Sequence, residues 1–140
     1  GGRWSFFLAA VEHGQLMQIL SAEASFIETA DDYAFVPGHW YYVASNLRTV
    51  SGQTQVNTYA ANLSRGERKL TRVVKDQLIA GVPAVGRLGV GKGFDANDAH
   101  AYPWSGDLDE VAIYDAVIDE GTLERHLQAI VGTRGVASQP

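Results

Sequence analysis

The alternation of apolar and polar residues along most of the chain predicts short β-strands separated by turns. Alternation with a period of two residues places apolar side chains on one face of a strand. Turn-forming pairs such as Pro37-Gly38 and Ser51-Gly52 interrupt the pattern at short intervals. The windows predicted as strands are 4–11, 15–20, 24–30, 39–46, 53–62, 70–75, 87–91 and 104–114. This spacing of strands and turns favours a sandwich or barrel over alternating strands and helices.

The C-terminal part of the chain changes to a helical pattern. Leu123, Leu127 and Ile130 recur at helical spacing, and Asp119 is a suitable N-cap, so we predict one short helix over residues 120–130. The whole pattern predicts an all-β sandwich or barrel with one short C-terminal helix. We expect one domain over residues 1–131, followed by a tail at 132–140.

Composition narrows the functional classes. The 140 residues carry a net charge of −5 and no cysteine, which excludes disulfides, thiolate metal sites and cysteine nucleophiles. Nucleic-acid binding needs clustered Lys and Arg, and this chain has no long run of like charge, so such binding is disfavoured. No apolar run approaches the roughly 20 residues of a membrane span. The first residues, Gly1 to Trp4, do not form a signal peptide.

Three sequence blocks carry a family resemblance. Residues 106–114 are Gly-Asp-Leu-Asp-Glu-Val-Ala-Ile-Tyr, residues 36–44 are Val-Pro-Gly-His-Trp-Tyr-Tyr-Val-Ala, and residues 88–91 are Leu-Gly-Val-Gly. In this order, the blocks resemble laminin-G-like domains of the concanavalin A-like lectin/glucanase group. The resemblance implies an all-β, jelly-roll-like sandwich of two antiparallel sheets with one short C-terminal helix. It implies a non-catalytic module that binds carbohydrate or a protein surface. It also implies a place in a larger extracellular, cell-surface or periplasmic protein.

The start of the chain departs from that family. Domains resembling this one begin with strands that precede the equivalent of Trp4, and we find no counterpart of them here. We therefore expect either a compact variant or the later part of a longer domain. In the second case unpaired strand edges would favour self-association or pairing with a missing chain segment.

The polar loop at residues 93–103 is the best candidate for ligand binding. Its carboxylate and amide oxygens suit a hard cation such as calcium or the hydroxyl groups of a sugar, and its aromatic rings suit contact with a sugar ring. The same polar residues are also common in turns that bind nothing, and this alternative stays open. The predicted oxygen donors are Asp95, Asn97 and Asp98, and the predicted ring contacts are His100 and Tyr102.

Asp107 and Asp109 offer a catalytic alternative. On one side of a strand their Cα atoms would lie roughly 7 Å apart, and glycoside hydrolysis needs two carboxyl groups about 5–9 Å apart. The chain lacks the Glu-x-Asp-x-x-Glu run of related glucanases, so we predict that the protein is not an enzyme. Within the resemblance, the Asp-Glu pair at this point supports the fold through turn hydrogen bonds.

Asn62-Leu63-Ser64 fits the acceptor pattern for N-glycosylation. Such triplets are frequent by chance, and this one has a meaning only in a secreted eukaryotic protein.

Overall fold

The computed structural model describes residues 33–81 and 105–136, with side chains as far as residue 132. It also describes the backbone of five short strands outside these ranges. In the described parts the protein is mostly β with one C-terminal helix, as predicted.

A three-stranded antiparallel sheet forms the centre of the described structure. Its strands, in the spatial order β4-β5-β6, are β4 (Tyr41–Val50), β5 (Gln53–Asn62) and β6 (Thr71–Ala80). These strands confirm the predictions at 39–46, 53–62 and 70–75, although β4 and β6 extend beyond their predicted ends. Ser51 and Gly52 connect β4 to β5 with positive φ angles of 49° and 77°. Positive φ at both central residues matches the two-residue turns that suit the twist of a hairpin.

The remaining strands are shorter. β1 (Ala9–Ala10), β2 (Leu16–Ile19) and β3 (Phe26–Glu28) form a second antiparallel sheet, which confirms the predicted hairpin between the first two strands. β3 lies close to β6. β7 (Gly93–Phe94) pairs with β8 (His100–Ala101) inside the stretch that we predicted as a polar loop. The predicted strand at 87–91 lies outside the described residues.

Buried apolar side chains form two clusters in and around the central sheet. Val56, Val74 and Ile79 form one cluster, which occupies the end of the sheet near the β4–β5 turn. A second cluster lies near the opposite end and contains aromatic rings from the segment before β4. It comprises Phe35, Ala60 and Val73, with the partly buried Tyr33, Tyr41 and Val43 packed against it.

The C-terminal helix α1 (Glu120–Val136) confirms the helix predicted over 120–130 and continues into the segment predicted as a tail. Leu123 and Leu127 are buried, as their spacing predicted. The Gln128 side chain donates a hydrogen bond to the main-chain carbonyl of Arg68, in the turn before β6. The apolar stripe of the helix is therefore covered by other parts of the chain.

The prediction of a strand over residues 104–114 is wrong for the described residues of this range, 105–114. Residues 105–119 are irregular. Among the described residues, no backbone-to-backbone hydrogen bond of a turn or loop involves residues 106–117. Glu110 has a φ of 51°, in the left-handed region, which interrupts an extended run. The alternation that suggested a strand therefore belongs to an exposed connection between sheet and helix.

Candidate functional site

The predicted ligand loop is only partly described. Asp95, Asn97, Asp98 and Tyr102 lie outside the described residues. His100 is described by its backbone alone, as the first residue of β8, where it pairs with Phe94. The pairing of β7 with β8 brings the two ends of this loop together. Its role in binding a ligand or calcium stays a prediction.

Asp107 and Asp109, the carboxylates of the catalytic alternative, are both exposed in the irregular segment. The Asp109 carboxylate oxygen Oδ1 accepts a hydrogen bond from the main-chain N–H of Glu110, at 3.0 Å. A short local bond of this kind is typical of turns. Because no strand is present here, the geometric argument for two carboxylates on one strand face no longer applies.

The described histidines take part in contacts with other side chains. His39 Nδ1 lies 3.0 Å from the amide nitrogen of Asn62, and the His126 ring stacks on Tyr114 with ring centroids 6.0 Å apart. Among the described residues, no group of three or more His, Cys, Asp or Glu side chains could hold a metal ion.

The most exposed apolar residues of the described structure are concentrated in one stretch, residues 107–117, which we call the acidic apolar segment. Five large apolar side chains in it are about half exposed or more, whereas isolated exposed apolar residues are normal on protein surfaces. They are Leu108 (47%), Val111 (56%), Ile113 (64%), Tyr114 (51%) and Val117 (52%). This concentration of exposed apolar side chains makes the segment the candidate interaction site.

Two contacts fix the C-terminal end of this segment. The Asn46 side chain donates to the Ile118 carbonyl at 2.7 Å and accepts from the Ile118 main-chain N–H at 3.2 Å. The Asp119 carboxylate then accepts from the Thr122 main-chain N–H at 3.0 Å and from its hydroxyl at 2.6 Å. These bonds confirm Asp119 as the N-cap of α1, and they lower the pKa of its carboxyl below the ordinary value.

A second polar centre lies where β5 ends. Asn62 is 2% exposed, and its Oδ1 accepts from the main-chain N–H of Arg65 at 3.1 Å, which caps a short 3-10 helix (Leu63–Arg65). Its Nδ2 donates to the Tyr41 hydroxyl at 2.9 Å. The nitrogen that a glycan would modify is therefore buried and bonded, and the Asn62-Leu63-Ser64 acceptor is inaccessible in the folded protein.

Glu67 completes this centre and borders a groove of about 270 Å³. One of its carboxylate oxygens, Oε2, accepts from the Asn62 main-chain N–H at 2.7 Å and from the Tyr33 hydroxyl at 3.2 Å. Burial of Tyr33, followed by the adjacent Glu67 charge, raises the pKa of the tyrosine hydroxyl well above its ordinary value. The groove is lined by Tyr33, Ala34, Val36, Asn62, Arg65 and Glu67.

The comparisons with known proteins add no relative. No family model, curated protein or solved structure matches the chain. The laminin-G-like resemblance therefore stays a prediction.

Sequence reasoning missed Asn46 and Asn62 as structural centres. Each bonds to residues outside its own strand, and Asn46 reaches across 72 sequence positions. The only sequence signal was that an amide side chain occurs in an otherwise alternating strand, where it is disfavoured unless its polar groups are paired.

Proposed function

We propose that the protein is a non-catalytic recognition module that binds a protein surface through the acidic apolar segment. The observation that carries this proposal is the exposure of five large apolar side chains within eleven consecutive residues. Soluble proteins rarely leave such a patch open without an interaction partner. Burial of apolar surface stabilises an interface by roughly 25 cal/mol per Å².

The anchoring of the segment supports binding as well. A segment that is free to move must be ordered when it binds, and this ordering lowers the affinity. Here the Asn46–Ile118 bonds and the Asp119 cap hold its C-terminal end, and the Tyr114 ring rests on His126. These contacts therefore already order part of the segment in the free protein, which reduces the free-energy cost of ordering it on binding.

The proposal includes the architecture expected from the sequence. We place the central sheet and the β1–β3 sheet in a two-sheet, jelly-roll-like sandwich within a larger protein outside the cytoplasm. The proximity of β3 to β6 is consistent with this arrangement. No helix in the described part of the chain is long and apolar enough to cross a membrane.

A displayed library of random peptides tests the proposed function. Peptides selected on the native chain are measured against the double variant Val111→Ser/Ile113→Ser. Loss of these two apolar contacts should weaken binding by about 2 kcal/mol, which is about thirtyfold.

The matched control is Leu47→Ser/Leu78→Ser. Leu47 and Leu78 are also exposed large apolar residues, at 38% and 45%, but lie on β4 and β6 outside the segment. The selected peptides should bind this control as they bind the native chain. The proposal is wrong if no selected peptide depends on Val111 and Ile113, or if the control weakens binding equally.

A further inference from the structure

We infer that the partner of the acidic apolar segment presents basic side chains among its apolar ones. This inference rests on the proposed function and specifies the chemistry of the surface that is bound. From residue 105 to residue 120 the chain contains no Lys or Arg. The exposed acidic residues of the segment are Asp107, Asp109, Glu110 and Asp115.

The acidic and apolar residues alternate closely, which constrains any partner. Asp109 and Glu110 lie between Leu108 and Val111 in the sequence, and all four residues are exposed, so a partner that covers this stretch of chain also meets its carboxylates. Removing a carboxylate from water costs free energy unless an opposite charge or hydrogen-bond donors replace the water. A purely apolar partner would leave this cost unmet, and an acidic partner would be repelled.

Three of the four exposed carboxylates of the segment are available for such pairing. In the described parts of the chain, Asp107, Glu110 and Asp115 form no ion pair. A partner with Lys or Arg beside apolar side chains can therefore pair with them without breaking an internal bond. Complementary charge would also speed association and fix the position of the partner along the segment.

A second copy of the chain is a less suitable partner. The stretch between β5 and β6 does carry exposed basic side chains, namely Arg65, Arg68 and Lys69. However, each copy carries a net charge of −5, and two copies would repel each other overall. Self-association is therefore an outcome that the experiment must detect.

Three labelled eight-residue peptides test the inference by fluorescence anisotropy. One alternates Lys with Val, one alternates Gln with Val, and one alternates Lys with Ser. The Lys/Val peptide should bind at least tenfold more tightly than either of the others. Its affinity should fall about tenfold or more between 50 and 500 mM NaCl, because salt screens exposed charges.

Two variants locate the charges that matter. Asp107→Asn/Glu110→Gln/Asp115→Asn should weaken binding of the Lys/Val peptide at least tenfold. Glu124→Gln removes an exposed carboxylate of α1 outside the segment and should leave binding nearly unchanged. Asp109 is kept because its carboxylate bonds to the adjacent main chain.

The possible outcomes separate this inference from the proposed function. Equal binding of the Gln/Val and Lys/Val peptides overturns the basic partner but leaves a recognition module. If the Lys/Val peptide does not bind, while binding of the library peptides still depends on Val111 and Ile113, the basic partner is likewise overturned and the recognition module is kept. Equal binding of the Lys/Ser peptide shows attraction by charge alone and overturns the inference. If sedimentation shows self-association of the native chain and the triple variant abolishes it, the partner is a second copy of the chain. That outcome also overturns the inference.

Discussion

The side-chain amide of Asn46 bonds both main-chain polar groups of Ile118, with an Nδ2–O distance of 2.7 Å and an Oδ1–N distance of 3.2 Å. This pair joins the middle of β4 to the residue that precedes the helix cap. The amide satisfies a donor and an acceptor that lie outside any strand or helix. One side chain of the sheet therefore helps to hold the C-terminal end of the acidic apolar segment.

Asn46→Ala should lower the free energy of unfolding by about 2 kcal/mol. It removes two hydrogen bonds of about 1 kcal/mol each and leaves the Ile118 groups without their partner. Urea unfolding measures the loss, and amide exchange should increase most at Ile118. Thr49→Ala, an exposed change on the same strand, should alter stability by less than about 0.5 kcal/mol. Unchanged exchange at Ile118 in Asn46→Ala would contradict the anchoring role.

Asn62→Ala should destabilise the protein by about 2 kcal/mol or more. The change removes the cap of the 3-10 helix and leaves the hydroxyl of the partly buried Tyr41 without one of its partners. Urea unfolding provides the measurement. Gln55→Ala, a partly buried polar residue of the same strand, is the control and should cost clearly less. Equal losses in the two variants would show that the Asn62 network contributes little.

Tyr33 should make the protein sensitive to alkaline pH. Its folded-state pKa is raised, so its contribution to stability is fully present below the unfolded pKa near 10. This contribution is lost as the pH rises from about 10 through the raised folded-state pKa. Chemical unfolding at pH 8 and pH 11 measures the loss, and Tyr33→Phe should show a smaller decrease than the native chain.

The same variant has a separate cost at neutral pH. Tyr33→Phe removes the hydrogen bond to Glu67 and should lower stability by about 1 kcal/mol at pH 8. Thr49→Ala, at an exposed residue that does not titrate, is the control and should keep the alkaline loss of the native chain. Identical pH profiles for Tyr33→Phe and the native chain would refute the assignment to Tyr33.

Asp119 should contribute a pH-dependent part of helix stability. Hydrogen bonds from the side chain and main chain of Thr122 lower its folded-state pKa below the ordinary value of 3.8. The contribution is present above the unfolded pKa and is lost as the pH falls through the folded-state pKa. Asp119→Asn keeps a side-chain acceptor but cannot titrate. Its melting temperature should lie below that of the native chain at pH 6, and the difference should shrink towards pH 2.5.

Asp119→Ala distinguishes capping from charge. It removes the acceptor as well as the charge and should melt below Asp119→Asn at both pH values. A constant difference between the native chain and Asp119→Asn across the pH range would rule out titration of Asp119 as the cause.

Calcium binding by the loop at 93–103 can be tested by a thermal melt with excess calcium and after chelation. A ligand that binds only the folded state raises the melting midpoint, with a stabilisation of about 2.7 kcal/mol at one hundred times its dissociation constant. If the loop binds calcium, the midpoint rises in the native chain and Asp95→Ala/Asp98→Ala abolishes the rise. An equal rise in that variant would place the calcium elsewhere, and no rise in the native chain would remove the metal from the hypothesis.

The local pattern predicted the central elements because their partners are close in sequence. β5 has the predicted bounds, and Val56, Thr58 and Ala60 share a buried face as their alternation indicated. The helix followed from the spacing of Leu123 and Leu127 and from the Asp119 cap. Short-range patterns of this kind state both the element and the face that it buries.

The same reasoning failed for residues 105–114 for a physical reason. Alternation between apolar and acidic residues describes an extended chain whether or not a neighbouring strand pairs with it. Strand formation depends on that neighbour as much as on local preference. The positive φ of Glu110 and the distant bond from Asn46 to Ile118 leave no local signal.

The connectivity of the central sheet has a consequence for how the protein folds. β4, β5 and β6 follow one another along the chain, so their pairing closes only short loops and should be fast. The Asn46–Ile118 contact instead closes a loop across 72 positions, which costs more chain entropy. The acidic apolar segment should then settle after the sheet has formed. A partner that requires the settled segment would bind only chains that have completed folding.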